Sequence, residues 1–146
     1  SARAERLASD YERRLEAVAA EARERPRPVV YFEEWDEPMI SGLKWVSELI
    51  GIAGGQEALP ELAAEGAARD RIVTPERVIA AAPEVILASW CGKKVRPEKI
   101  AARPGFDAVP AVAAGRIHEI KSPLILQPGP AALTDGLDAI RAALAA

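Results

Sequence analysis

Glu84-Val85-Ile86-Leu87-Ala88-Ser89, running straight into Trp90-Cys91-Gly92-Lys93-Lys94, is the stretch on which the fold turns. Four apolar residues in a row follow Pro83, without the polar alternation of a strand wetted on one side. Such a run suits a strand covered on both faces, as in a parallel sheet. A loop leaving the carboxyl end of such a strand is where open α/β sheets place their ligands. Trp90 to Lys94 therefore reads as the edge of a binding site.

Outward from this strand the chain alternates between helix and strand signals. Upstream, Thr74-Pro75-Glu76 is a good helix start, with Thr as cap, Pro in the first helical position and a carboxylate in the first turn. Further upstream, Val29-Val30-Tyr31-Phe32 is a β run opening into the acidic, aromatic segment Glu33-Glu34-Trp35-Asp36-Glu37-Pro38, expected to be a loop. Ser41 is expected to cap a helix carrying Leu43, Val46, Leu49 and Ile50, which Gly54-Gly55 ends. Residues 56 to 70 read as a short helix plus loop. Downstream, Arg96-Pro97-Glu98 opens a short helix, Val109 to Ala114 is another turn or two, and Arg116 to Ile120 is a strand. Lys121 to Gly129 follows as a Pro-rich loop, and Pro130 to Leu144 as an amphipathic helix with Leu133, Leu137, Ile140 and Leu144 inward.

Residues 3 to 25 form one long predicted helix. Leu7, Tyr11, Leu15, Val18 and Ala22 make a narrow apolar stripe on a charged rod, with Arg6, Asp10 and Arg14 spaced to pair at i, i+4. Arg25-Pro26-Arg27-Pro28 stops it. The order predicts an α/β three-layer sandwich with a small, mainly parallel sheet, preceded by a long helix.

At 146 residues the chain fits one domain with a real core, and its 49% apolar content excludes disorder. A net charge of -3 gives no reason to expect nucleic acid or an anionic membrane. No apolar run approaches a transmembrane length, and the first residues lack a Met and the apolar core of a signal peptide. That start is expected of a processed, partial or trimmed chain. One cysteine excludes an internal disulfide and leaves the redox compartment open.

Motifs for catalysis fail on spacing. The sole histidine, His118, sits inside a predicted strand, and no Gly-x-Ser-x-Gly elbow occurs. Four residues separate Cys91 from Arg96, one short of a phosphatase loop. Gly92-Lys93 lacks the other members of a Walker loop, and no metal-ligand spacing is present. No cofactor or metal is therefore expected. A small α/β enzyme using Cys91 near Lys93 is the rival from another class. A second rival is an interaction module dimerising through the Leu7, Tyr11 and Leu15 stripe. The aromatics favour binding instead: Trp35 and Trp90 both follow predicted strand ends at one edge of the sheet, where exposed rings want covering. Trp45 is expected in the core or at its boundary.

Several of these segments together resemble the C-terminal lobe of the substrate-binding proteins of ABC importers, in the class that carries cobalamin and ferric siderophores. The resemblance rests on Val30 to Trp35 with Ser41-Gly42, Leu49 to Gly55, Ile72 to Val78, Pro83 to Leu87, Ser89 to Pro97, Lys121-Ser122-Pro123 and Gln127 to Pro130. The Ser89–Pro97 and Lys121–Pro130 segments are most similar to cobalamin-binding members.

The resemblance implies two α/β lobes joined by a rigid helix, with a small-molecule ligand in the cleft between them, in a protein that is periplasmic or extracellular and membrane-associated. Residues 1–27 then correspond to the interlobe helix and 28–146 to the C-terminal lobe. An amino-terminal lobe, or a second copy of the chain, would complete the cleft. It also implies ligand contacts at Glu34, Trp35, Asp70, Trp90, Cys91, Gly92, Lys93, Ser122 and Gln127, and docking of Glu76 onto arginines of the ABC permease. Asp70 stands where relatives carry an aromatic. The protein so implied is a carrier of cobalamin, or alternatively of a ferric siderophore, and not an enzyme.

Overall fold

The structure, a computed structural model, describes residues 1–23, 26–121, 125 and 132–146. Ser122 and Gln127 lie outside the described residues. Helix α1 (Ala2–Ala22) opens the chain, its N-cap Ser1 accepting from the Ala4 amide through Oγ at 3.3 Å. Its apolar stripe meets the rest of the molecule only in its second half. Residues 1 to 10 are exposed, Tyr11 and Leu15 are half-buried, and Val18 is buried. The expected Asp10–Arg14 pair does not form, because Arg14 reaches across to Asp138 and Asp10 takes Arg13.

Strand β1 (Val29–Asp36) runs four residues past the apolar stretch that announced it. It turns through a cis Glu37–Pro38 peptide into an antiparallel partner, β2 (Met39–Ser41). The segment expected as an acidic loop is thus a strand and hairpin. Glu33 and Glu34 are tolerated within the strand because arginines from distant parts of the chain, Arg103 and Arg71, neutralise them. Ser41 is not a helix cap. Its Oγ donates to the Arg71 carbonyl at 3.3 Å, and α2 (Lys44–Ala53) begins after Leu43 with no side-chain cap. Gly54 ends α2 in the left-handed conformation (φ 103°), the stop that the glycine pair predicted.

After β3 (Gln56–Glu57) and α3 (Pro60–Ala63) comes a 3₁₀ turn, Ala68–Arg71. Helix α4 (Pro75–Ala81) starts as its sequence dictates, with Thr74 Oγ1 accepting from the Arg77 amide at 3.3 Å. Then follow β4 (Val85–Ala88), α5 (Pro97–Ala101), a 3₁₀ turn at Phe106–Ala108, α6 (Pro110–Ala113) and β5 (Ile117–Glu119). A π-helical turn over Ala132–Gly136 leads into α7 (Leu137–Ala145).

The sheet order is β2-β1-β4-β5. Strands β1, β4 and β5 are parallel, and β3 pairs parallel with the first residues of β1. Strand alternation then sorts the core into two layers. Val30, Phe32, Val85 and Leu87 face one cluster with Val18, Val46, Ile50, Leu137 and Ile140, under α1, α2 and α7. Tyr31, Ile86 and Ala88 face the other with Val78, Ile100, Phe106 and Ala111, under α4, α5 and α6. All four residues of β4 are sealed, as the unbroken apolar run required. Each of its larger side chains gives about 1.5–3 kcal/mol on burial. Helices cover both sides of a small, mostly parallel sheet.

Candidate functional site

Because β1, β4 and β5 are parallel, their carboxyl ends share one rim, where Asp36, the Trp90 turn and Glu119 meet. The peptide after β4 folds back at once, the Lys93 amide donating to the Trp90 carbonyl at 3.2 Å. Gly92 occupies the third position of this turn at φ 77°, a left-handed conformation that favours glycine. Cys91 to Lys94 are exposed.

Trp90 itself does not present an open ring, contrary to the sequence expectation. It is 2% exposed, packed in the core layer under α4 to α6. Its indole Nε1–H donates to Glu33 Oε2 at 2.9 Å. Glu33 is wholly buried in β1 and accepts from three sources. Besides Trp90, the Tyr31 hydroxyl donates to Oε1 at 3.0 Å. The Arg103 guanidinium grips both oxygens as a fork, at 2.6 and 2.9 Å. Burial and the neighbouring Glu33 carboxylate push the Tyr31 phenol well above its ordinary range, so it stays a donor. Burial works against the charge on Arg103, but Glu33 outweighs it and raises the guanidinium pKa. Arg103 also lies over the Phe106 ring, 5.4 Å from its centroid.

The Lys93 ammonium rests on the indoles. Nζ is 4.4 Å from the centroid of Trp35 and 5.2 Å from that of Trp90. It also pairs with Asp36 at 2.8 Å. Burial opposes ionisation of Asp36, yet the Lys93 ammonium and the Asp36 and Glu37 amides hold its carboxyl below the usual range. The two indoles therefore share one rim as expected, but only Trp35, half-buried at the end of β1, stands near solvent. Its Nε1–H donates to the Glu37 carbonyl at 3.1 Å, which holds the ring against its own hairpin. On the far side of the turn, Glu119 at the end of β5 accepts the Val95 amide at 2.9 Å, and Lys121 lies 2.9 Å from its other oxygen. The Val95 amide, then Lys121, hold the Glu119 carboxyl below its ordinary range.

The remaining expected site residues are spread around this rim. Glu34 has its charge matched by Arg71 at 2.9 Å; Arg71 is buried and also donates to the Ser41 carbonyl. Asp70 is exposed beside Arg71 on the 3₁₀ turn that this arginine fastens to the hairpin. Glu76 is exposed in the first turn of α4, next to an Arg77–Glu61 pair, in a different part of the chain from the Trp90 turn. His118 is half-buried in β5. Desolvation and nearby Arg116 lower its pKa, and its Nε2 finds no partner among the described residues. Among those residues, no group of three His, Cys, Asp or Glu could hold a metal.

Glu33, Arg103, Arg71 and Asp36 are the residues that sequence reasoning missed. One signal was present. Glu33 shares strand parity with Tyr31 and Trp35, so a carboxylate was aimed into the core and needed a buried cation. Nothing local says that the cation lies 70 residues away.

Comparison with known proteins places this architecture. A family model described as periplasmic binding protein matches residues 1–124. No curated protein matches the chain. Among solved structures, the periplasmic heme-binding protein RhuT from Roseiflexus sp. RS-1 is 28% identical, with a TM-score of 0.72 over 95% of this chain and 56% of its own. An ABC-type Fe3+-hydroxamate transport protein from Saccharomonospora viridis is 20% identical, with a TM-score of 0.77 over 99% of this chain and 50% of its own. The periplasmic vitamin B12 binding protein BtuF of Vibrio cholerae is 19% identical, with a TM-score of 0.69 over 97% and 53%. The chain thus spans about half the length of the solved structures it matches. No described helix is long and apolar enough to cross a membrane. The two-sided helical cover, the parallel sheet and the matched residues agree: the chain belongs to the periplasmic binding protein family.

Proposed function

We propose that this chain is the ligand-binding lobe of an ABC-importer substrate-binding protein and that its cargo is a corrinoid of the cobalamin class. The observation that carries the reading is the meeting of Trp35, Trp90, Lys93 and Asp36 at the carboxyl ends of β1 and β4. Ligands of open α/β sheets lie at that end. Trp35 supplies the ring, Trp90 backs the turn from below, and Cys91 to Lys93 supply backbone and polar contacts. Ser122 and Gln127 belong to the same set by resemblance. Binding draws on buried apolar area, less the cost of ordering both partners, and requires no chemistry from the protein. Cys91, an exposed free thiol, is then part of the turn and not a nucleophile.

The charge pattern favours a neutral cargo. Lys93 is matched by Asp36, Arg71 by Glu34 and Lys121 by Glu119, so the rim holds little surplus positive charge for an anionic chelate. A ferric siderophore of the hydroxamate type is the second reading, favoured by the likeness to the Fe3+-hydroxamate transport protein. The lobe supplies one wall of a cleft, and a second lobe or a second copy supplies the other. Glu76, exposed at a helix start where a carboxylate is well oriented, meets the permease.

Absorbance titration decides between the cargoes. Cyanocobalamin, ferrioxamine and hemin are each added to the chain, and the shift of each chromophore is followed. A saturable shift with cyanocobalamin and none with ferrioxamine is expected. Saturation by ferrioxamine or hemin alone would overturn the corrinoid assignment.

A further inference from the structure

The turn after β4 is a part of the rim that is not itself in a strand or helix, yet bonds to other described residues tie it down, three of them at separate points. Lys93 is held by Asp36, the Val95 amide by Glu119, and Trp90 by Glu33. The first two ties sit at or near the surface. The third is sealed in the core and has a second layer behind it, since the acceptor of Trp90 is itself gripped by Arg103. A carboxylate left without its cation at that depth would be destabilised or neutralised, so Arg103 is what keeps the acceptor of the Trp90 tie charged and in place.

We propose that Arg103 and Glu33 are positioning residues for the rim: through the Trp90 indole N–H they fix the Trp90–Lys93 turn, and with it the ammonium of Lys93 over the two indoles. The proposal rests on the rim being the ligand site. Arg103 itself sits outside that rim, in the segment between α5 and the Phe106–Ala108 turn, with its side chain only 14% exposed. Among the described residues its side-chain hydrogen bonds go to Glu33, not to Lys93 or Trp35, so it acts through Glu33 and Trp90. Its fork geometry matters, because the guanidinium meets both Glu33 oxygens with two N–H donors in a fixed plane, which a lysine ammonium on a flexible stem does not offer.

Cys91 offers a reporter within the turn: it is the sole cysteine, exposed, and adjacent to Trp90. A nitroxide on Cys91 reads turn mobility directly, below the melting transition and without ligand. In the parent chain the label should show the slow, ordered component. In Trp90→Phe, which removes the N–H but leaves the Arg103–Glu33 fork, the mobile component should become dominant, and the same in any folded Arg103→Gln. Arg103→Lys should fall between, and Arg14→Gln, which breaks a distant surface pair, should match the parent. Unchanged mobility in Trp90→Phe, or mobility in Arg14→Gln equal to that in Trp90→Phe, would overturn the proposal. Where cyanocobalamin binds the parent, the same variants should bind it about tenfold more weakly, the effect of losing one charge-assisted hydrogen bond. A mobile turn with undiminished affinity would also overturn it. Failure of the parent to bind cyanocobalamin, ferrioxamine or hemin counts against the ligand reading alone, because the mobility comparison does not involve a ligand.

Discussion

Replacing Arg103 by Met should be among the most damaging single changes outside the apolar core. The substitution keeps much of the side chain's volume and removes the fork. Glu33, with no solvent exposure, would keep only the Tyr31 hydroxyl and the Trp90 indole as donors, and no positive charge. Breaking a buried ion pair by deleting one partner costs about 3–5 kcal/mol. Set against the 5–15 kcal/mol that holds a typical domain together, that is a large fraction. With an m-value of about 2 kcal/mol per molar urea, the midpoint should fall by about 2 M. Urea unfolding followed by tryptophan fluorescence at neutral pH measures it. Adding Glu33→Gln to Arg103→Met removes the stranded charge and should recover more than half of the loss. A shift below about 0.5 M in Arg103→Met would refute the reasoning, as would a double variant no more stable than the single one. Either result would mean that water or a rotated neighbour satisfies Glu33 at little cost.

Other consequences can be measured separately. Gly92→Ala meets open space around its new methyl but forces φ 77° on an alanine. It should cost about 1 kcal/mol in thermal unfolding without displacing any neighbour. Glu57 is half-buried in β3, and desolvation pushes its carboxyl from 4.5 to about 7. A folded-state pKa above the unfolded one contributes stability that is complete below about 4.5 and lost as pH rises through 7. The difference of 2.5 units sets a ceiling of about 3 kcal/mol, so Glu57→Gln should flatten the fall in stability between pH 5 and 8. Asp36 and Glu119 have lowered pKa values, so their contributions run the other way, present at neutral pH and lost as acid protonates them. A Cys91-bound nitroxide should become more mobile in acid as these two ties release. Glu76→Ala should leave absorbance titrations with cyanocobalamin unchanged while weakening association with a cognate permease in a pull-down.

The sequence showed the scaffold more clearly than the rim, and the difference is one of range. The Val85–Leu87 run, the Thr74 cap and the Gly54 stop are local devices, each read from a few neighbouring residues, and each appears as expected. The hairpin was misread because Glu33 and Glu34 look like loop residues until Arg103 and Arg71, 70 and 37 positions away, are brought beside them. Trp90 was misread for the same reason. A ring just past a strand end looks exposed unless an acceptor 57 residues earlier waits beneath it. Apolar periodicity records which face is inward, but it carries no address for the partner of a buried charge.

Helix α1 adds a mechanical consequence. Its second half is seated on the lobe near Val18, while residues 1 to 10 stand clear of it. The span from Val18 back to Ala2 is about 24 Å of continuous helix, at 1.5 Å per residue. A tilt of about 10° at the seat would sweep the far tip through about 4 Å, as a cantilever magnifies a small rotation at its clamp. Repacking of Tyr11, Leu15 or Val18 should thus set the heading of whatever the tip meets, far from the residues that changed.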